Sequence, residues 1–322
     1  MNEKVIVRVQ NLSTYFKVKS SYYSVRKATV KAVQDVSLSI LQGETLGLVG
    51  ESGSGKTTLG RSIIQLDTPS SGNVMFRDLD LTKLKRSQLR NLRRKMQIVY
   101  QDPYSSLEAR MKVGDIVGEG LAIHKIGTKK ERIDRVVELM EAVGLAPDYI
   151  YRYPHEFSGG QRQRISVARA LALDPEFLVA DEPVSALDIS VQAQIIKMLI
   201  RLSEEYGLTM LFISHDLSVV QYIADRVAVM YLGRIMELAD NETLFNNPKH
   251  PYTLALLEAV PKPDPRQRRP FVVLPGDIPS PLDPPSGCVF RTRCSRATDE
   301  CAHTVPELRE LEPGHQVACI RV

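Results

Sequence analysis

Gly50-Glu51-Ser52-Gly53-Ser54-Gly55-Lys56-Thr57-Thr58 satisfies the pattern G-x-x-x-x-G-K-[ST]. In such a loop backbone N–H groups curl around phosphate oxygens, the lysine meets the outer phosphates and the hydroxyl meets magnesium. A glycine-rich turn that binds nothing is the bland alternative. Further along, the apolar run Phe177-Leu178-Val179-Ala180 ends in the carboxylates Asp181 and Glu182, and Gln101 and His215 each follow a short apolar run. Such a set suits binding of a nucleoside triphosphate with magnesium and delivery of water to its outer phosphate. Asp181 would hold the metal through water. Glu182 would polarise the attacking water, a role worth about a hundredfold to ten-thousandfold in rate. Taken alone, Glu182 also reads as a salt-bridge partner.

These residues need elements to position them. Thr45 to Val49 predicts a short buried strand and Thr58 to Leu66 a helix, whose N-terminal dipole favours anions. Phe177 to Ala180 predicts a central parallel strand that delivers its acids to the carboxyl edge of a sheet, where ligands of such folds sit. Strands over Gln97 to Tyr100 and Leu211 to Ser214 would place Gln101 and His215 at strand ends. Ser158-Gly159-Gly160-Gln161 opens a helix, with Arg164, Ile165, Ala168, Arg169 and Ala172 at helical spacing before Asp174-Pro175 stops it. Its N-terminus is either an ordinary helix start or a second phosphate site. One nucleotide does not need two such sites, so the second reading implies that each is completed by another molecule across a dimer interface.

In this order the motifs resemble the ATP-binding cassette family, and the resemblance spans residues 5 to 260. It identifies Gly50 to Thr58 as a Walker A segment, Gln101 as a Q-loop, Ser158 to Gln161 as a signature, Asp181 as a Walker B and His215 as a His switch that senses the γ-phosphate. The implied fold is α/β, a P-loop NTPase with a mixed-sheet core, an antiparallel β subdomain and a helical subdomain over about 102 to 172, all within a cassette domain of residues 1 to 260. The resemblance implies magnesium contacts from Thr57, Gln101 and Asp181, and nucleotide contacts from the P-loop, Gln101, the signature and Asp181. Ser185-Ala186-Leu187-Asp188 looks like the D-loop, which crosses the dimer. Phe16 aligns with the aromatic that stacks on adenine, although an aromatic in an amphipathic strand near Tyr15, Tyr22 and Tyr23 also reads as core. Two departures stand out: Glu108-Ala109 where many relatives have Asn-Pro, and Phe157 where the signature usually begins with leucine. Neither touches phosphate chemistry.

Composition agrees with a cytosolic enzyme: 322 residues, 25% charged, formal charge +4. No apolar stretch approaches a membrane span, and Glu3, Lys4 and Arg8 interrupt any signal-like region. Lys83, Lys85, Arg86, Arg90, Arg93, Arg94 and Lys95 could suggest nucleic acid. Leu81, Leu84, Leu89 and Leu92 interleave with them and no aromatics are present for stacking, so the stretch predicts a solvated amphipathic helix and no nucleic-acid partner.

Beyond the cassette, residues 261 to 322 form a second region. It opens on a linker with Pro261, Pro263, Pro265, Pro270, Pro275, Pro279, Pro281, Pro284 and Pro285, too proline-rich for a helix or central strand. It also holds all four cysteines, Cys288, Cys294, Cys301 and Cys319. A reducing compartment argues against disulfides, and a tail of this size builds little core, so metal ligation is the reading that supplies folding free energy. The spacing does not distinguish zinc from an iron-sulfur cluster, and buried unligated thiols are the alternative. His250-Pro251-Tyr252-Thr253, Pro279-Ser280-Pro281 and Pro285 to Cys294 resemble the C-terminal extension of oligopeptide and dipeptide importer ATPases, among them the subunit lettered F. That resemblance implies a [4Fe-4S] cluster on the four cysteines and ATP with Mg²⁺ in the cassette. It also implies a location on the cytoplasmic face of the membrane. The implied partners are a second, related ATPase chain as heterodimer partner, two membrane permeases and, indirectly, an extracytoplasmic substrate-binding protein. The implied activity is ATP hydrolysis driving uptake of oligopeptides or dipeptides. A soluble cassette ATPase of DNA repair or translation is the rival reading; the chain has neither a long coiled-coil insertion nor a second cassette to favour it.

Overall fold

The structure, a computed structural model, describes residues 4–19, 27–260 and 276–322. The linker prolines from Pro261 to Pro275, the tyrosines Tyr22 and Tyr23, and Glu3 lie outside the described residues. In chain order the strands are β1 (Val5–Lys19), β2 (Lys27–Leu41), β3 (Thr45–Val49), β4 (Ser71–Phe76), β5 (Leu79–Asp80), β6 (Met96–Val99), β7 (Phe177–Asp181), β8 (Thr209–Ser214), β9 (Arg226–Tyr231), β10 (Arg234–Asp240), β11 (Arg309–Glu312) and β12 (His315–Val317). Contacts divide the described chain into two units, one comprising Leu41–Glu44 and Leu84–Ile213, the other Val5–Ile40, Thr45–Lys83 and Ser214–Val322.

The second unit carries a sheet in the order β2-β1-β4-β5, with β1 antiparallel to β4 and β4 to β5. Its other sheet runs β11-β12-β10-β9-β3 and is mixed: β3 lies parallel to β9, while the remaining neighbours are antiparallel. Every residue of β3 is buried, as expected of a strand covered on both faces. The helix Lys56–Ile63 follows it. It starts and ends earlier than the periodicity predicts, because Lys56 already continues the turn made by Gly55 and because Gln65 takes a left-handed φ of 57° beyond its end.

In the first unit β6, β7 and β8 pair in parallel, with β7 in the middle and buried throughout. The predicted strand ahead of Gln101 is displaced by one residue, to Met96–Val99. Helices Val113–Ile123, Lys129–Ala142 and Gly159–Leu171 fill the segment expected to be helical. The basic stretch forms only the short helix Arg86–Leu92, none of whose residues is buried, so its charges are solvated.

The cysteine-bearing tail belongs to the unit that holds the P-loop. Its strand β12 pairs with β10, setting Val317 opposite Glu237 and Gln316 opposite Leu238. Val289, Phe290, Val317 and Ala318 are all buried. The expectation of a core-poor tail is therefore corrected: it shares the core of the strands it joins. Buried Glu237 accepts backbone N–H bonds from Lys249 at 2.7 Å and His250 at 3.0 Å, and its Oε1 lies 2.7 Å from His315 Nε2. These bonds fasten the His250-Pro251-Tyr252 segment and β12 to one strand.

Candidate functional site

The P-loop leaves β3 at Gly50, whose φ of +154° and lack of a side chain are both required. A Cβ there would meet Met230 O at 2.1 Å. Gly55, at φ +104°, is equally confined, since its Cβ would meet Ala32 O at 2.1 Å. Gly55 is also the N-cap of the following helix and offers no side-chain bond to it, so no cap side chain occupies the positive end of the helix dipole. Lys56 Nζ donates to the carbonyl oxygens of Gly50 at 2.8 Å and Glu51 at 3.0 Å, which holds the ammonium over the loop. Ser54 Oγ is buried with no hydrogen-bond partner among the described residues. An orphaned hydroxyl, a helix start with no side-chain cap and a tethered cation fit a polyphosphate.

Glu51 is held from outside the loop, by residues the sequence reading gave no role. Arg293 Nη1 donates to its Oε2 at 2.6 Å and Nη2 to its Oε1 at 3.1 Å, a bidentate pair, and the Glu51 N–H donates to Tyr252 Oη at 3.0 Å. That pairing raises the Arg293 pKa above its ordinary value despite burial. Burial raises the Tyr252 phenol. Tyr231, Tyr252 and Phe290 pack around the clamp with ring centroids 4.7 to 5.3 Å apart. The segments His250-Pro251-Tyr252 and Phe290-Arg291-Thr292-Arg293 were the only sequence signal for it.

In the other unit β7 delivers Asp181, which is 3% exposed, and then Glu182. Glu182 has a left-handed φ of 45°, uncommon for a side chain of this size, and its N–H donates to Ile213 O at 3.0 Å. The turn aims its carboxylate toward Gln101, whose Nε2 donates to Glu182 Oε2 at 3.0 Å. Two residues far apart in sequence thus meet, a contact the sequence reading did not name. His215 follows the end of β8 and is exposed. Phe16 is 39% exposed on β1, which makes it available for stacking and argues against simple core.

Ser158 caps the helix Gly159–Leu171. Its Oγ accepts from Gln161 N at 3.3 Å, while Gln161 Oε1 accepts from Ser158 N at 3.0 Å. Gly160 has a local packing reason as well, since a Cβ there would stand 2.5 Å from Val191 Cγ1. Phe157 is buried edge-to-face on Tyr149 with centroids 5.4 Å apart, so the larger side chain is accommodated. Asp188 begins the helix Ile189–Tyr206 without capping it by its side chain, and Ile189 beside it is 85% exposed. Glu108 and Ala109 are also exposed.

Cys288, Cys294, Cys301 and Cys319 all line one small cavity, together with His250, Phe290 and Arg296 among others. Backbone N–H groups two residues on point at three of the sulfurs, from Phe290 to Cys288, from Arg296 to Cys294 at 3.4 Å and from Arg321 to Cys319 at 3.4 Å. Gly287 at φ +63° makes the turn before Cys288, where a Cβ would meet Cys301 O at 2.3 Å. Burial, reinforced by the neighbouring thiols, raises the pKa of Cys288 and of Cys294. Among the described residues no three His, Cys, Asp or Glu side chains close into a ligand group for a metal ion. Four soft donors on one cavity, three of them accepting N–H···S bonds, are the chemistry on which a thiolate-held group would draw.

Comparison with known proteins gives two family matches: ABC transporter over residues 33–185, and oligopeptide/dipeptide transporter, C-terminal region, over residues 236–301. An oligopeptide transport ATP-binding protein of Bacillus subtilis, AppF, is 50% identical over 321 residues, covering 99% of this chain and 98% of that protein. A Brucella ovis protein named, provisionally, as a peptide import ATP-binding protein is 56% identical over 321 residues, covering 100% of this chain and 99% of the relative. Among solved structures, the cassette MJ0796 in a dimeric post-hydrolysis state bound to ADP and Pi matches with TM-score 0.65 and 29% identity over 73% of this chain and 98% of that one.

Proposed function

Since the chain belongs to the ABC transporter ATPases and carries the C-terminal region of the oligopeptide/dipeptide importers, we propose that it is the ATP-hydrolysing subunit of a peptide importer. The observation that carries this reading is the P-loop, with its orphaned Ser54 hydroxyl, tethered Lys56 and uncapped helix start.

Residue roles follow from chemistry. Lys56 and the amides from Gly50 to Thr58 bind the phosphates, Glu182 orients and deprotonates the attacking water, and His215 senses the γ-phosphate. Phe16 stacks on the adenine. The Thr57 hydroxyl, the Asp181 carboxylate and the Gln101 amide oxygen are the hard donors that suit magnesium, which neutralises phosphate charge when bound. Gln101, already bonded to Glu182, keeps that carboxylate oriented. Ser158, Gly159, Gly160, Gln161 and Asp188 complete the site of a partner cassette, in keeping with the exposed Ile189 beside Asp188. The dimeric state of MJ0796 is the precedent for such pairing.

The partner is a related, different ATPase chain, and the pair couples to two membrane permeases served by an extracytoplasmic binding protein. No described helix is long and apolar enough to cross a membrane. The importer reading puts the chain peripherally on the cytoplasmic face. A division at residue 260 between cassette and extension belongs to the same reading. The four cysteines hold a [4Fe-4S] cluster, with zinc as the alternative; when bound, the group staples the tail's turns.

Steady-state phosphate release measured against chain concentration tests the reading. The rate per chain should rise with concentration and with added partner cassette, because complete sites form only on pairing. A rate per chain that ignores both contradicts it.

A further inference from the structure

Glu51 puts a carboxylate inside a loop whose task is to hold an anion. Left unpaired, that charge would oppose every phosphate the loop binds. The structure pairs it with the guanidinium of Arg293, at 2.6 and 3.1 Å, and Arg293 is only 6% exposed, on the turn that also carries Cys294. The Tyr252 hydroxyl receives the Glu51 N–H, which fixes the backbone at the same residue. Glu51 O is in turn one of the two carbonyls that hold Lys56 Nζ. A continuous set of contacts thus runs from Arg293 through Glu51 to the phosphate-binding lysine.

We propose that Arg293, a residue of the C-terminal extension, is a positioning residue of the nucleotide site: it neutralises Glu51 and fixes the P-loop in its phosphate-binding form. The inference rests on the P-loop being the ATP site. It gives the extension a task in ATP binding rather than in stability alone. Its bidentate fork is a geometry that lysine cannot reproduce.

The test is equilibrium binding of a fluorescent ATP analogue with magnesium, at two salt concentrations, on the full chain. Relative to wild type, Arg293→Ala should bind about tenfold more weakly, most markedly at low salt, where the bare carboxylate repels the phosphates. Adding Glu51→Gln to Arg293→Ala should recover most of that loss, a rescue that lost packing alone would not give. Arg293→Lys, which keeps the charge and loses the fork, should bind with intermediate affinity and carries the test should the alanine variant not fold. Equal affinity in wild type and the folded Arg293 variants, or a double variant no better than Arg293→Ala, overturns the proposal. Failure of the wild-type chain itself to bind the analogue would instead overturn the ATPase reading.

Discussion

Glu182 and the four cysteines show how a residue's chemistry is set by the turn that presents it. Glu182 takes a left-handed backbone at the end of a buried strand, a conformation that costs of order 1 kcal/mol and is retained where a carboxylate must leave the strand line. The cysteines converge on one cavity through turns at Gly287 and through N–H groups aimed at sulfur, an arrangement that benefits thiolates more than thiols. Burial raises the pKa of Cys288 and Cys294 as free thiols; on the proposed reading a bound group would supply the positive charge that makes their thiolates favourable. Protein purified without oxygen should therefore contain iron and acid-labile sulfide in equal amounts, and Cys294→Ser should lose both. Zinc without sulfide would contradict the cluster, and the absence of either metal would contradict ligation altogether.

At the scale of elements, the helix Gly159–Leu171 depends on its own cap. Ser158→Ala removes the acceptor for Gln161 N and should destabilise the folded chain by about 1 kcal/mol in urea unfolding. A loss well under half of that would mean the cap is satisfied in some other way. This helix start was legible because a capping serine, a glutamine three residues on and a helical repeat agree with one another. Strand β3 was legible too, as an apolar run that ends at a glycine. The helix after the P-loop was read two residues late, because a pattern of apolar residues does not register that Lys56 already has helical geometry. The contact between Gln101 and Glu182 joins ends of different strands; the motifs gave each residue a separate role, and local periodicity carried no sign that they touch.

On the scale of the whole molecule, the tail was the least legible part. Read alone it is too short to build much core, so metal ligation by its cysteines reads as a source of folding free energy, with buried unligated thiols as the alternative. In the folded chain β12 adds to β10, Phe290 packs against both Tyr231 and Tyr252, and Arg293 reaches Glu51. Such non-local pairings leave no periodic trace in a sequence. The P-loop and the extension thus belong to one folded unit, and on the proposed reading ATP binding draws on both. The central claim is that this molecule hydrolyses ATP with Glu182 as its base. Steady-state phosphate release by wild type and Glu182→Gln, with ATP binding measured on the same samples, tests it most directly. The account predicts nearly unchanged binding and a rate reduced by at least about a hundredfold in the variant; unchanged hydrolysis by Glu182→Gln would contradict it.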